Sequence, residues 1–179
     1  MTVPVVPPAD RDPITIALTL AHNAEAATEP STAEEIEEVV LTYDGLPKAL
    51  LMALASLFDK QAQRIVVFET AELTPFYSWA VVCSGLSGVQ RDVLQRNIRE
   101  DLHTIGLNPL SVEGIGDSGW ILMDYRGFII HILSPEKREY YRLENLWGDL
   151  PKLEPEEAVV TALLEALEEA EDDEESTDA

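Results

Sequence analysis

Cysteine is almost missing from this chain: Cys83 stands alone among 179 residues, which rules out an internal disulfide and fits a reducing compartment. Histidine is nearly as scarce. His22, His103 and His131, even with Cys83, show no metal-ligand spacing, so neither a metal nor any other cofactor is expected. Positive charge is thin too, with 12 Lys and Arg against 34 Asp and Glu. A net charge of −22 repels a phosphate backbone, so little direct contact with nucleic acid is expected. No apolar run nears the roughly 18 residues of a membrane span. The opening "MTVPVVPPADRDP" has neither the basic n-region nor the apolar h-region of a secretory signal, so a cytoplasmic protein without a membrane partner is expected.

The charge that is present is unevenly spread. Residues 1–45 carry −8, residues 154–179 carry −12, and residues 46–153 carry only −2. This reads as a nearly neutral domain over 46–153 between two acidic arms. The arm over 1–45 is an extension, partly helical, in which Ser31 and Glu34 form a capping-box pattern ahead of Ile36, Val39 and Val40. The arm over 154–179 begins as a helix with Val159, Val160, Leu163, Leu164 and Leu167 on one side. It is expected to end in a disordered tail at "EDDEESTDA", where apolar groups run out.

Inside the domain, hydrophobic periodicity changes from element to element. "LPKALLMALASLFDKQAQ" is apolar all round and predicts a buried helix ending near Lys60. "RIVVFET" is a continuous β-branched run, and "YSWAVVCSG" a second strand. A helix follows from "GLSGVQ" to Gly106. Ser87 caps it with Gln90 three on, and Val89, Val93, Leu94, Ile98, Leu102 and Ile105 line its inner side. "NPLSVEG" is a short strand, parallel to the second by a right-handed crossover. "GWILMDY" and "FIIHILSP" flank Arg126-Gly127, a hairpin signal. "PEKREYYRLENLWG" predicts one final helix from Pro135 to Gly148. The fold class is α/β (α+β): a mixed five-stranded sheet with helices packed on it.

Three constellations resemble catalytic arrangements, and each has a blander reading that fits better. The Gly-rich turn "CSGLSG" matches neither phosphate-binding fingerprint in spacing, so it reads as a capped helix start. Asp124 and His131 lie on facing hairpin strands, but the register about Arg126-Gly127 makes them diagonal, a structural pair rather than an acid and base. Cys83 has no basic neighbour in sequence and reads as an inert thiol. Arg91, Arg96 and Arg99 lie on the outer side of the second helix, with Asp92 and Glu100 interleaved, and read as a solvated face. No catalytic residue is assigned.

The C-terminal half of the domain carries recurring motifs. Gly106, Leu107, Pro109, Leu110, Val112, Glu113 and Gly114 form the first. Trp120, Leu122, Asp124, Tyr125 and His131 form the second, and Arg138, Tyr141, Leu143, Glu144, Leu146, Trp147, Asp149 and Pro151 the third. From Leu46 to Leu153 the chain resembles the ribosomal silencing factor family, also called Iojap-like. Two departures stand out: Arg126-Gly127 replaces the family's Gly-Asp turn, and Ser78 replaces an Asp.

The resemblance implies a nucleotidyltransferase-like topology without catalytic residues, hence no enzyme. It implies binding to the large ribosomal subunit through its ribosomal protein fourteen, blocking the small subunit and lowering translation under nutrient limitation. A homodimer of the free protein stays open. A nucleotidyltransferase-like enzyme and a ribosome-assembly scaffold are the alternatives. The partner-binding residues expected on this basis are Trp120, Asp124, Tyr125, Arg126, Arg138, Tyr141, Glu144 and Trp147.

Ring surface gives the resemblance a physical sense. Tyr and Trp combine large contact area with few torsions to freeze, which makes them common interface anchors. On one continuous helix, Tyr140, Leu143 and Trp147 share a face, and Leu143 and Leu146 are expected inward. Trp147 divides evenly between core and interface. Tyr125, near the hairpin tip, is expected exposed, so that Tyr125→Ala would weaken binding and leave stability intact.

Overall fold

The computed structural model describes residues 43, 45–148 and 150–177, with side chains described through residue 170. The expected helix near Ser31, and Asp149 of the third motif, lie outside the described residues. Two compact units are distinguished, one over 47–157 and one that includes 158–177.

The first unit is built on a six-stranded sheet. Its strands are β1 (Gln63–Glu69), β2 (Trp79–Ser84), β3 (Ser111–Glu113), β4 (Trp120–Asp124), β5 (Phe128–Leu133) and β6 (Lys152–Leu153), in the order β3-β4-β5-β2-β1-β6. The sixth strand departs from the five expected. Two residues after Pro151 are too few to show an alternation, yet Leu153 and Lys152 pair antiparallel with Val67 and Phe68. β2 and β5 pair in parallel at the centre, and the other pairings are antiparallel. β2 and β3 point the same way, as the crossover requires, but β5 and β4 lie between them.

Lateral rows across the sheet show what each face buries. Val67, Val81, Ile130, Met123 and Val112 form one row, all of it buried except Val112 at the edge. On this side lie α1 (Lys48–Asp59) and α2 (Gly88–Thr104), which pack on each other, with α2 also against β4 and β5. Leu50, Leu54, Leu57, Leu94, Ile98 and Leu102 are fully buried there. Ser87 caps α2 as expected, accepting from the Gln90 amide at 3.1 Å. Gln90 itself bonds Lys60 and Gln61 carbonyls, tying α2 to the end of α1. Val89 and Ile105, expected inward, are exposed, because they sit on the first and last turns, where the neighbouring layer has ended.

Arg91 corrects the solvated-face reading. It is buried, donating through Nε to the Gly116 carbonyl at 2.9 Å and through Nη1 to the Gly85 carbonyl at 2.6 Å. A charged guanidinium is tolerated inside when its donors are met. Asp92 completes the clasp by accepting from the Gly116 amide. Gly116 has to be glycine, since an added Cβ would lie 2.0 Å from the Gly88 carbonyl oxygen.

The second face holds the row Val66, Val82, His131, Leu122 and Glu113, and beside it Phe68, Ala80, Ile129, Asp124 and Ser111. It is covered by the segment read as one helix. That segment is two: α3 (Pro135–Tyr141) and α4 (Leu143–Leu146), separated by Arg142 at φ 46, ψ 52. The left-handed residue resets the helical phase. Leu143 and Trp147 therefore face the sheet, while Leu146, expected inward, is 71% exposed.

In the other unit, α5 (Glu157–Thr177) continues past Ala170 rather than dissolving there. Between Glu156 and Thr177 the sequence has no Gly or Pro to stop a helix of Ala, Leu and Glu. Val160 and Leu163 are buried. Among the described residues no helix is long and apolar enough to cross a membrane.

Candidate functional site

Asp124 opposes Ile129 and Leu122 opposes His131, so Asp124 and His131 are diagonal, as expected from the turn. Arg126 takes φ 69, a region bulky residues visit rarely, and the Asp124 carboxylate steadies the turn by accepting from the Arg126 amide at 2.8 Å. Asp124 and His131 are thus each engaged elsewhere. His131 Nδ1 accepts from Trp120 Nε1–H at 3.3 Å, which leaves the ring proton on Nε2, a buried donor with no described partner. Burial pushes the His131 pKa down to about 4, so the imidazole is neutral throughout the neutral pH range.

An aromatic ladder runs across this face. Phe68 contacts Trp147 at 5.4 Å, Trp147 contacts His131 at 5.7 Å, and His131 contacts Trp120 at 5.7 Å. Trp120 meets Tyr141 at 4.9 Å, and Tyr141 meets Tyr140 edge-on at 5.0 Å. The ladder is buried at its Phe68 end and open at its tyrosine end. Tilted contacts of this kind each add about 0.5–1.5 kcal/mol beyond area burial. Lys137 lies 5.7 Å from the Tyr141 ring centroid, a cation–π contact.

Of the eight residues expected to meet a partner, three are inside. Trp147 is buried on Phe68, which settles its even division in favour of core. Tyr125, expected exposed, is only 3% exposed and stacks on Phe128 at 5.1 Å. It continues the alternation Ile121, Met123, Tyr125 onto the face beneath α2, so the sheet's period, not its nearness to a turn, decides its place. Its hydroxyl is buried without a described partner, and burial drives its pKa up to about 12. Arg138 is also buried. Its Nε donates to Glu144 at 2.6 Å, and its Nη1 to the Arg64 carbonyl at 2.7 Å and to Ser84 Oγ at 3.1 Å. Arg138 and Glu144 are therefore engaged with each other.

The remaining four candidates fall in two places: Trp120 and Tyr141 meet at the open end of the ladder, while Asp124 and Arg126 sit at the hairpin turn, at the other end of β4. Trp120 and Asp124 are half-buried, while Arg126 and Tyr141 are exposed. Trp120 and Tyr141 line a cleft of about 330 Å³ with Glu113, Gly114, Ser118, Leu122 and Lys137. Tyr140 and Leu146 stand out on the same helical segment, both largely exposed. Lys137, Leu122 and Tyr140 were not among the expected site residues. Leu122 was legible from strand alternation, but the exposure of Tyr140 and Leu146 follows from the break at Arg142. Cys83 is fully buried, and its pKa rises to about 12 through loss of solvent. Among the described residues no cluster of His, Cys, Asp or Glu is arranged to hold a metal ion.

Comparison with known proteins bears on this surface. The family described as ribosomal silencing factor during starvation matches residues 44–179. Ribosomal silencing factor RsfS of Bacillus subtilis is 29% identical over 102 residues, covering 57% of this chain and 86% of that protein. RsfS of Zymomonas mobilis is 30% identical over 103 residues, covering 57% of this chain and 77% of that protein. A crystal structure of a Chromobacterium violaceum protein superposes with a TM-score of 0.55 at 28% identity, covering 56% of this chain and 84% of that one. With the matched region taking in the whole sheet, its aromatic flank and the acidic helix that follows, this chain belongs to the ribosomal silencing factor family.

Proposed function

We propose that this protein binds the large ribosomal subunit through its ribosomal protein fourteen and, by its bulk, keeps the small subunit from joining, so lowering translation when nutrients are short. The match to ribosomal silencing factors over residues 44–179 carries the reading. The open end of the aromatic ladder supports it physically. Trp120 and Tyr141 are held in place by neighbouring rings and Lys137, so little side-chain freedom remains to be lost on binding. Blocking requires occupancy and volume rather than turnover. An ordinary interface of about 1,600 Å² in total suffices for a stable complex.

Sedimentation with separated subunits and with intact ribosomes tests this. The protein should travel with free large subunits and not with joined ribosomes. Tyr141→Ala should weaken that association roughly tenfold or more while the fold survives. Equal association with joined ribosomes, or none with free large subunits, would overturn the proposal.

A further inference from the structure

A second cleft, of about 570 Å³, opens between β1, the α3–α4 segment and β6. It shares no lining residue with the Trp120–Tyr141 cleft. Its wall combines apolar surface from Ile65, Val66 and Phe68 with four cationic side chains, Arg64, Arg138, Arg142 and Lys152, and three carboxylates, Glu139, Glu144 and Glu154. A local concentration of cations is unexpected in a chain of net charge −22.

The ion pairs show which charges are already spoken for. Glu144 holds Arg138 and Glu139 holds Arg142. Arg64 and Lys152 have no ion pair among the described residues, and Glu154 is the one lining carboxylate that is likewise unpaired. The most buried of the four cations, Arg138, has a donor to spare: Nε and Nη1 are bonded, while Nη2 is buried with no described partner. Leaving such a donor unmet is costly, the more so when it is charged. The backbone is also set at a cost around the same cleft. Arg64 and Arg142 both take positive φ, 52° and 46°, and strain of this kind gathers where side chains must be aimed.

We propose that this cleft binds a small organic phosphate, with Arg64 and Lys152 holding the phosphate above the Arg138 guanidinium and the apolar wall receiving the organic body. A phosphate monoester carries about −1.5 to −2 at neutral pH. That suits two cations without an ion pair over a buried third, opposed only by the unpaired Glu154 among the lining residues, whereas a lone carboxylate supplies half the charge. Guanidinium groups also match the geometry of phosphate oxygens better than ammonium groups do. The volume exceeds what a bare phosphate fills and falls within the usual range for small-molecule sites. The inference is independent of the ribosome-binding proposal.

Isothermal titration of the full chain at low salt tests it, with AMP, ribose 5-phosphate, inorganic phosphate and succinate as separate ligands. The two organic phosphates should bind saturably at millimolar affinity or better, more tightly than inorganic phosphate, with succinate weakest. The double variant Arg64→Asn, Lys152→Gln keeps an αL-tolerant residue at 64 and should lose roughly tenfold or more in affinity. Glu154→Gln removes the opposing carboxylate and should tighten binding. No saturable binding below about 10 mM, equal binding of succinate, or indifference to both variants would overturn the assignment. Preference for AMP over ribose 5-phosphate would identify the body as a nucleoside; equal binding would place recognition on the phosphate and sugar.

Discussion

His131 ties stability to pH with a definite sign. Its pKa falls from an ordinary 6.5 to about 4 in the folded protein because the ring is buried among Trp120, Trp147 and the second sheet face. Above pH 6.5 both folded and unfolded chains carry a neutral ring, and the group is silent. As pH drops below 6.5 the unfolded chain gains a proton that the folded chain refuses until about pH 4, so stability is lost across that window. That fall corresponds to about 3 kcal/mol in full, of which about 2 kcal/mol is lost between pH 7 and pH 5. Urea unfolding followed by tryptophan fluorescence at pH 7, 6 and 5 measures this, with His131→Gln as the reference. The variant subtracts every other titrating group, including the carboxylates that begin to protonate near pH 5. The stability difference between the two proteins should narrow by about 2 kcal/mol from pH 7 to pH 5, a relative midpoint shift of about 1 M urea. A difference constant within about 0.5 kcal/mol would mean that the folded ring accepts its proton freely and that the ladder is open to water.

Two further substitutions read out features of the same domain by thermal or urea unfolding. Tyr125→Phe removes a buried hydroxyl that has no described partner, so stability should hold or rise by up to about 1 kcal/mol, whereas Tyr125→Ala should cost about 3–5 kcal/mol; a loss above about 1 kcal/mol for Phe would reveal a bonded hydroxyl. Arg142→Gly should be neutral or stabilising by up to about 1 kcal/mol, because the residue sits at φ 46, while in an unbroken helix the same change would cost about 1 kcal/mol. A loss of about 1 kcal/mol would mean one unbroken helix.

Much of the fold was legible because its signals are local. The β-branched runs became β1, β2 and β5, Ser87 capped α2, and counting from Arg126-Gly127 made Asp124 and His131 diagonal, as they are. What was hidden depends on partners far away in sequence. Arg142 breaks the final helix with no Gly or Pro to mark it, and that break inverts the roles of Leu146 and Trp147. Arg91 is inside only because carbonyls of Gly85 and Gly116 converge on it. Arg138 is inside because Arg64, Ser84 and Glu144 do the same. A charged residue's burial is decided by acceptors that no short window contains. Among the candidate site residues, Trp120 and Tyr141 were found through the resemblance, and the neighbours that frame them came from the sheet and the helix break.

The parallel pairing of β2 with β5 has a consequence for biogenesis. It joins residues 79–84 to residues 128–133, so the central ladder can assemble only once that later segment has been made. Until the hairpin has been synthesised, the β2 edge that β5 will cover has no mate. Until Leu153 follows, the outer margin of β1 is unpaired as well. The domain therefore carries an incomplete sheet until residues 128–133 and 152–153 have been added, which makes it a cooperative folder rather than one that condenses strand by strand.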